Sequence, residues 1–119
     1  MKIWNAFNYS IAGLAWTLRH ERAVRQEVFI LLVAAVILYF IPLSSMKKAV
    51  LFVSVLFIIV VELLNTAIEK TVDRISGEHH ELSKIAKDTA SAAVLLSIIM
   101  CLILWGTLCY PVLTQIFFV

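Results

Sequence analysis

Glu62 and Glu69 lie in a stretch, VLFVSVLFIIVVELLNTAIEKTVDRIS from Val50 to Ser76, that is otherwise apolar enough to cross a membrane. A carboxylate at membrane depth is costly and is rarely kept without a partner or a task. Glu62, Asn65, Glu69 and Asp73 follow an i, i+3, i+7, i+11 spacing, so one helix face carries all four. The stripe runs toward a charged loop, HHELSKIAKD. Acidic and amide oxygens in a row beside such a loop are what a divalent cation and a phosphate-bearing substrate need. Glu62, the deepest, could act as a general base on a lipid hydroxyl; its plainer reading is a structural carboxylate inside a bundle. Glu69 lies two turns further along, and Glu21 precedes the first apolar run at a similar depth. Together they could hold Mg²⁺, which takes one or two carboxylates plus substrate phosphates; Glu21 also reads as an exposed charge amid Arg19, Arg22 and Arg25. Lys87, beside Asp88, could meet phosphate oxygens or snorkel to the interface. His79 and His80 read as solvated loop residues. Arg25, Gln26 and Glu27 form either a headgroup contact or a plain interfacial charge cluster.

The elements that must position these groups follow from composition. Of the 119 residues, 62% are hydrophobic and only 15% charged, which leaves no room for a separate soluble catalytic domain. Chemistry must therefore take place on the membrane spans or at their ends. A net charge of +2 argues against nucleic acid as a partner. Apolar residues at Trp4, Phe7, Ile11, Leu14 and Leu18 predict a surface helix over about 1–20, lying in the headgroup layer or packed on the spans. Uncharged runs predict spans over about 28–46, 49–70 and 89–110 in a single membrane-embedded domain of 1–119. Pro42, Ser44 and Ser45 mark the exit of the first span, Gly77 caps the second, and Pro111 is expected to end the third. The fold class is therefore all-α and integral to the membrane.

Lys2, Arg19, Arg22 and Arg25 precede the first span, and Lys70, Arg74, Lys84 and Lys87 lie between the second and third. Only Lys47 and Lys48 lie on the other side, so the positive-inside rule places the N-terminus in the cytoplasm and the C-terminus outside. Small residues at 89–93 favour close helix contacts in a bundle or an oligomer. Cys101 and Cys109 are about 12 Å apart on one helix, too far for an intrachain disulfide, and read as buried thiols.

The segments VELLNTAIEKTVDRI and EHHELSKIAKDTASAAV, with ERAVRQE ahead of the first span, resemble the signature of the bacterial diacylglycerol kinase family. The likeness covers about residues 9–105. It implies a homotrimer in the bacterial cytoplasmic membrane, with sites between subunits and three spans plus an amphipathic surface helix per chain. It also implies transfer of the ATP γ-phosphate to diacylglycerol, with Mg²⁺, giving phosphatidic acid. Carried over by position, Glu62 would be the catalytic base, and Glu21 and Glu69 the metal ligands. Glu21, Glu69, Tyr9, Glu78, His80, Lys87 and Asp88 would contact ATP. Lys2, alone at the start of a short basic arm, and His79, where an aromatic residue is common, join that side. Asn65 and Asp73 would support the site. Ser10, Arg25, Gln26, Glu27, Glu62, Ser91 and Trp105 would line the lipid substrate. The sister activity on undecaprenol is the nearest rival. A small proton-coupled transporter using Glu62 is the rival from another class, but it needs neither the whole stripe nor Lys87 and Asp88.

Overall fold

A computed structural model describes residues 2–75 and 80–118, and every described element is a helix. They are α1 (Ile3–His20), α2 (Arg22–Phe40), α3 (Ser45–Ile75) and α4 (Glu81–Phe117). The expected cap at Gly77 lies outside the described residues. α2, α3 and α4 are each long and apolar enough to cross a membrane. The protein is a multi-pass membrane protein, and helices suit that setting because they satisfy their backbone groups internally.

α1 and α2 are parted by one residue. Glu21 adopts an extended conformation, and its N–H still donates to the Thr17 carbonyl at 2.8 Å. Two of the carbonyls left over at the end of α1 are taken up from α2: the Arg25 guanidinium donates to Leu18 O at 3.1 Å and to Arg19 O at 3.0 Å. α1 buries only Thr17 and leaves Trp4, Phe7 and Ile11 exposed.

α2 begins at Arg22 and stops at Phe40, short of the apolar run that extends to Met46. Pro42 explains the stop. A residue before proline is pushed out of the helical region, and Ile41 is extended at φ −78°, ψ 139°. α3 then starts at Ser45, where Ser44 Oγ accepts from the Lys47 N–H at 3.3 Å. Its 31 residues span about 46 Å, more than the ~30 Å hydrocarbon layer.

α4 corrects one expectation. Pro111 does not end the helix, which runs on to Phe117. Proline removes one backbone hydrogen bond, and here its neighbours hold the helix in place: Cys109 and Val112 are both buried, and Thr114 Oγ1 donates to Pro111 O at 2.8 Å. Proline inside a membrane helix is tolerated where packing and hydroxyl groups compensate in this way.

α3 is the central helix, packed against both α2 and α4. Leu51, fully buried, joins Leu38 and Cys109 in one core cluster; Val55 and Ile58 join Ala34 and Cys101 in another. Both cysteines are free and buried. Ser54 ties the layers together, accepting a hydrogen bond from Trp105 Nε1 at 3.2 Å and lying 3.4 Å from Cys101 Sγ.

Leu51→Ala should lower the thermal midpoint in detergent. Large-to-small core changes cost about 2–5 kcal/mol. The loss here belongs near the lower end, because lipid tails are as apolar as the lost methyls and only the packing term remains. An unchanged midpoint would show that Leu51 does not anchor the α2–α3–α4 core.

Candidate active site

α3 carries its polar stripe into the protein interior. Glu62 and Asn65 are each 8% exposed and Thr66 4%. Helical spacing puts them on the face that also buries Leu51, Val55 and Ile58, so the site continues the core rather than lying beside it. α2 runs antiparallel to α3, with Leu38 beside Leu51 and Ala34 beside Val55 and Ile58. Extending that register brings Glu27 level with Glu62, and the two carboxylates repel each other. Glu62 also feels the charges of Glu69 and Glu21. Four acidic groups therefore converge, Glu27 from α2, Glu62 and Glu69 from α3, and Glu21 from the joint between α1 and α2.

Hydrogen bonding within this group is incomplete. Asn65 Nδ2 donates to Glu69 Oε1 at 3.1 Å. Asn65 Oδ1 and Glu27 Oε2 are buried and have no partner among the described residues. Buried acceptors of this kind are uncommon and expensive, and both would be satisfied by a hydroxyl donor or a cation.

Toward the C-terminal end of α3 the site becomes ionic. Lys70 Nζ is 3.2 Å from Glu21 Oε1 and 5.4 Å from the Trp16 ring centre, and Trp16 stacks on His20. Lys87 Nζ donates to Asp73 Oδ1 at 2.6 Å, joining α4 to the end of the stripe. Lys87 and Asp88 are not paired with each other: Asp88 accepts from Lys84 at 2.6 Å, on the preceding turn. His80 is not a free loop residue either, since its Nδ1 accepts from the Leu82 N–H and caps α4. Glu78 and His79 lie outside the described residues. Lys2 precedes α1, and Tyr9 and Ser10 are exposed along it, with Ser10 Oγ donating to Ala6 O.

The residues assigned to the lipid side divide into two groups. Arg25 and Gln26 border a shallow groove of about 460 Å³ with Phe29 and Ile30. Glu27 faces a cavity of about 230 Å³ whose other walls are apolar, among them Ile30, Val55, Ile58 and Cys101. A carboxylate facing an otherwise apolar cavity suits a molecule with one hydroxyl and long hydrocarbon. Ser91 is exposed. The Lys87–Asp73 and Trp105–Ser54 contacts set the α3–α4 register, which puts Ser91 level with Glu69. Trp105 lies deeper than the site, about two turns beyond Glu62, in contact with both core clusters.

Lys70, which the sequence presents only as a topology-setting charge, and Thr66 and Ser54 join the site in the fold. Each had a signal: Lys70 adjoins Glu69, while Thr66 and Ser54 fall four residues after and eight before Glu62, on the same helix face. Glu27 reads from the sequence as a headgroup contact, an interfacial charge or, by resemblance, part of the lipid side; its place against Glu62 follows from the α2–α3 register.

The donor set suits a hard cation. No group of three or more His, Cys, Asp or Glu able to hold a metal occurs among the described residues, so this is not an all-protein cage. Glu69 and the unpartnered Asn65 Oδ1 on α3, with Glu21 at the α1–α2 joint, instead supply oxygens, and Mg²⁺ accepts such a partial set when phosphates complete it.

Residues 8–109 match the family model described as prokaryotic diacylglycerol kinase. The chain is 44% identical over 104 residues to a protein of Escherichia coli named diacylglycerol kinase, covering 87% of this chain and 85% of that one. A Pseudomonas aeruginosa protein of the same name is 40% identical over 107 residues, 90% of this chain and 87% of the relative. A third, from Haemophilus influenzae, is 37% identical over 102 residues, 86% of each. The match takes in α2, α3, the polar stripe and most of α4, and on it the chain belongs to the prokaryotic diacylglycerol kinase family.

Proposed function

We propose that this protein transfers the γ-phosphate of ATP to the free hydroxyl of diacylglycerol, forming phosphatidic acid at the cytoplasmic face of the bacterial inner membrane. The observation that carries the reading is the α3 stripe: a buried Glu62, the hydrogen-bonded Asn65 and Glu69, and the ion pairs at the helix end follow one another along one face. A lipid alcohol and a nucleotide can meet only along such a path, because one substrate is soluble in hydrocarbon and the other in water.

In this reading Glu62 accepts the hydroxyl proton as the oxygen attacks the γ-phosphorus, and ADP leaves. Glu27 holds the glycerol end at the mouth of its apolar cavity, and Arg25, Gln26, Ser10, Ser91 and Trp105 line the lipid's path. Asn65 keeps Glu69 oriented. A divalent cation, Mg²⁺ in the cell, would be held by Glu21 and Glu69 and would neutralise charge on the phosphates. Lys87 leaves Asp73 for the phosphate oxygens, with Tyr9, His80 and Asp88 beside the nucleotide. Eight basic residues against two support a cytoplasmic N-terminus. A homotrimer with sites between chains fits the small residues Ser91, Ala92 and Ala93, which α4 leaves exposed.

Purified protein given Mg-ATP should phosphorylate diacylglycerol in preference to undecaprenol; the reverse preference would move the substrate to the isoprenoid alcohol. Glu62→Gln keeps the shape and removes the base, so turnover should fall by ~10²–10⁴-fold with the helical content unchanged. Near-normal turnover would take Glu62 out of the proton-accepting role.

Chelation should abolish activity, and Mg²⁺ or Mn²⁺ should restore it. Glu21→Ala and Glu69→Ala should each move the activity curve to higher metal concentration. If neither curve moves, those carboxylates do not hold the cation.

Native mass measurement in mild detergent should give a trimer. Glu69→Ala and Lys87→Ala, mixed at a metal concentration too low for either to turn over alone, should regain partial activity when reconstituted together, since a site between chains can draw one intact residue from each. Should Lys87 serve its own chain's site, as its contact with Asp73 would allow, no recovery follows even with subunit exchange confirmed. A monomer would end the oligomer assignment.

A further inference from the structure

Lys70 is unused by this mechanism, yet it touches the site. Its ammonium lies 3.2 Å from Glu21 Oε1, on a carboxylate that the metal reading needs. The position is defined by more than one contact. Lys70 follows Glu69 directly on α3, so its stem starts beside one candidate ligand and its head reaches the other. The ammonium also lies 5.4 Å from the centre of the Trp16 ring, which offers a cation its negative face. Glu21, for its part, makes no side-chain cap for the helix it precedes, so its carboxylate is free to take this partner.

We infer that Lys70 is a resident cation that keeps Glu21 from loading free divalent metal, so that metal enters together with the nucleotide. A carboxylate oxygen engaged by an ammonium must give it up before a metal can use it, and an ammonium left nearby repels the metal. Free Mg²⁺ brings two charges and sheds its waters reluctantly, so it competes poorly for a carboxylate already paired. A metal carried on a polyphosphate competes better, because the phosphate oxygens offer the displaced ammonium a new anion within reach of its flexible stem. The pair suits such an exchange: the Lys70 side chain is 54% exposed, and ion pairs this open are weak enough to trade. The inference rests on the assignment of Glu21 and Glu69 to the metal.

The test is Mn²⁺ binding without nucleotide, followed by electron paramagnetic resonance of the free ion in detergent-solubilised protein. Lys70→Met keeps the stem and removes the charge, and it should bind Mn²⁺ roughly two- to tenfold more tightly than the unaltered protein, the range expected for relief from an open ion pair and its repulsion. Lys70→Arg keeps the cation and should leave the affinity where it was. Adding Glu21→Gln to Lys70→Met should remove the gain, which places the effect at that carboxylate. Equal or weaker Mn²⁺ binding by Lys70→Met, including no detectable binding by either protein, overturns the inference. If that happens while Glu21→Ala and Glu69→Ala still shift the metal dependence of turnover, only the role of Lys70 is lost. If those curves do not shift, the metal assignment falls and takes this inference with it.

Discussion

The structure is organised around one constraint: α3 must carry carboxylates through an apolar layer. A charged group there is expensive unless something compensates for it. The chain responds by making α3 the central helix, so that the stripe faces α2 and α4 rather than lipid. Compensation from within the chain is partial. Asn65 donates to Glu69, but Glu62 and Glu27 face each other as like charges, and two buried oxygens stay without partners among the described residues. A site built this way favours whatever brings protons or positive charge to it, and a lipid hydroxyl and a metal-bound nucleotide bring both.

The two ends of the stripe are held by different forces, and the division suits their tasks. The deep end is fixed by packing: Leu51, Val55 and Ile58 are buried, and Ser54 ties α3 to Trp105 and Cys101 of α4. Packed interiors shift little without losing contacts, so the position of Glu62 is set before any ligand arrives. The shallow end is held by open ion pairs, Lys70 with Glu21 and Lys87 with Asp73. Pairs this open contribute little to stability and can be remade at little cost. The chain thus keeps Glu62 rigid and leaves the ionic groups at the end of the stripe free to change partners.

Much of this was legible along the chain, because its signals are local. Three apolar runs, the spacing of Trp4 to Leu18 and the offsets from Glu62 to Asp73 each depend on one helix alone. The apolar run past Phe40 was a poor guide to the helix end, since Ile41 and Leu43 are apolar but not helical, and the proline between them decides the matter. Pro111 misled in the other direction, because local rules do not register the packing that carries α4 through it. Lateral facts were hidden for a common reason. That Glu27 meets Glu62, that Lys87 chooses Asp73 over its neighbour Asp88, and that Lys70 reaches Glu21 all follow from helix register, which no single segment encodes.

The same constraint explains how a kinase can manage without a glycine-rich phosphate loop. Such loops bind phosphate through free backbone N–H groups. Here nearly every described residue is helical, and a helix commits its N–H groups to its own carbonyls except in the first turn. Gly13 and Gly106 lie inside helices and open no loop. In the proposed reading, phosphate recognition then falls to side-chain cations and a metal, which act by charge more than by shape. That suits a reaction whose catalysis is mostly positioning and neutralisation of charge. That reading also makes the site answerable to its own acidic stripe: carboxylates that recruit a cation would repel a nucleotide if they stood alone. The lysines that cover Glu21 and Asp73 stand where that repulsion would be felt, so the proposed reading gives the ion pairs at the end of α3 a part in admitting an acidic substrate to an acidic site.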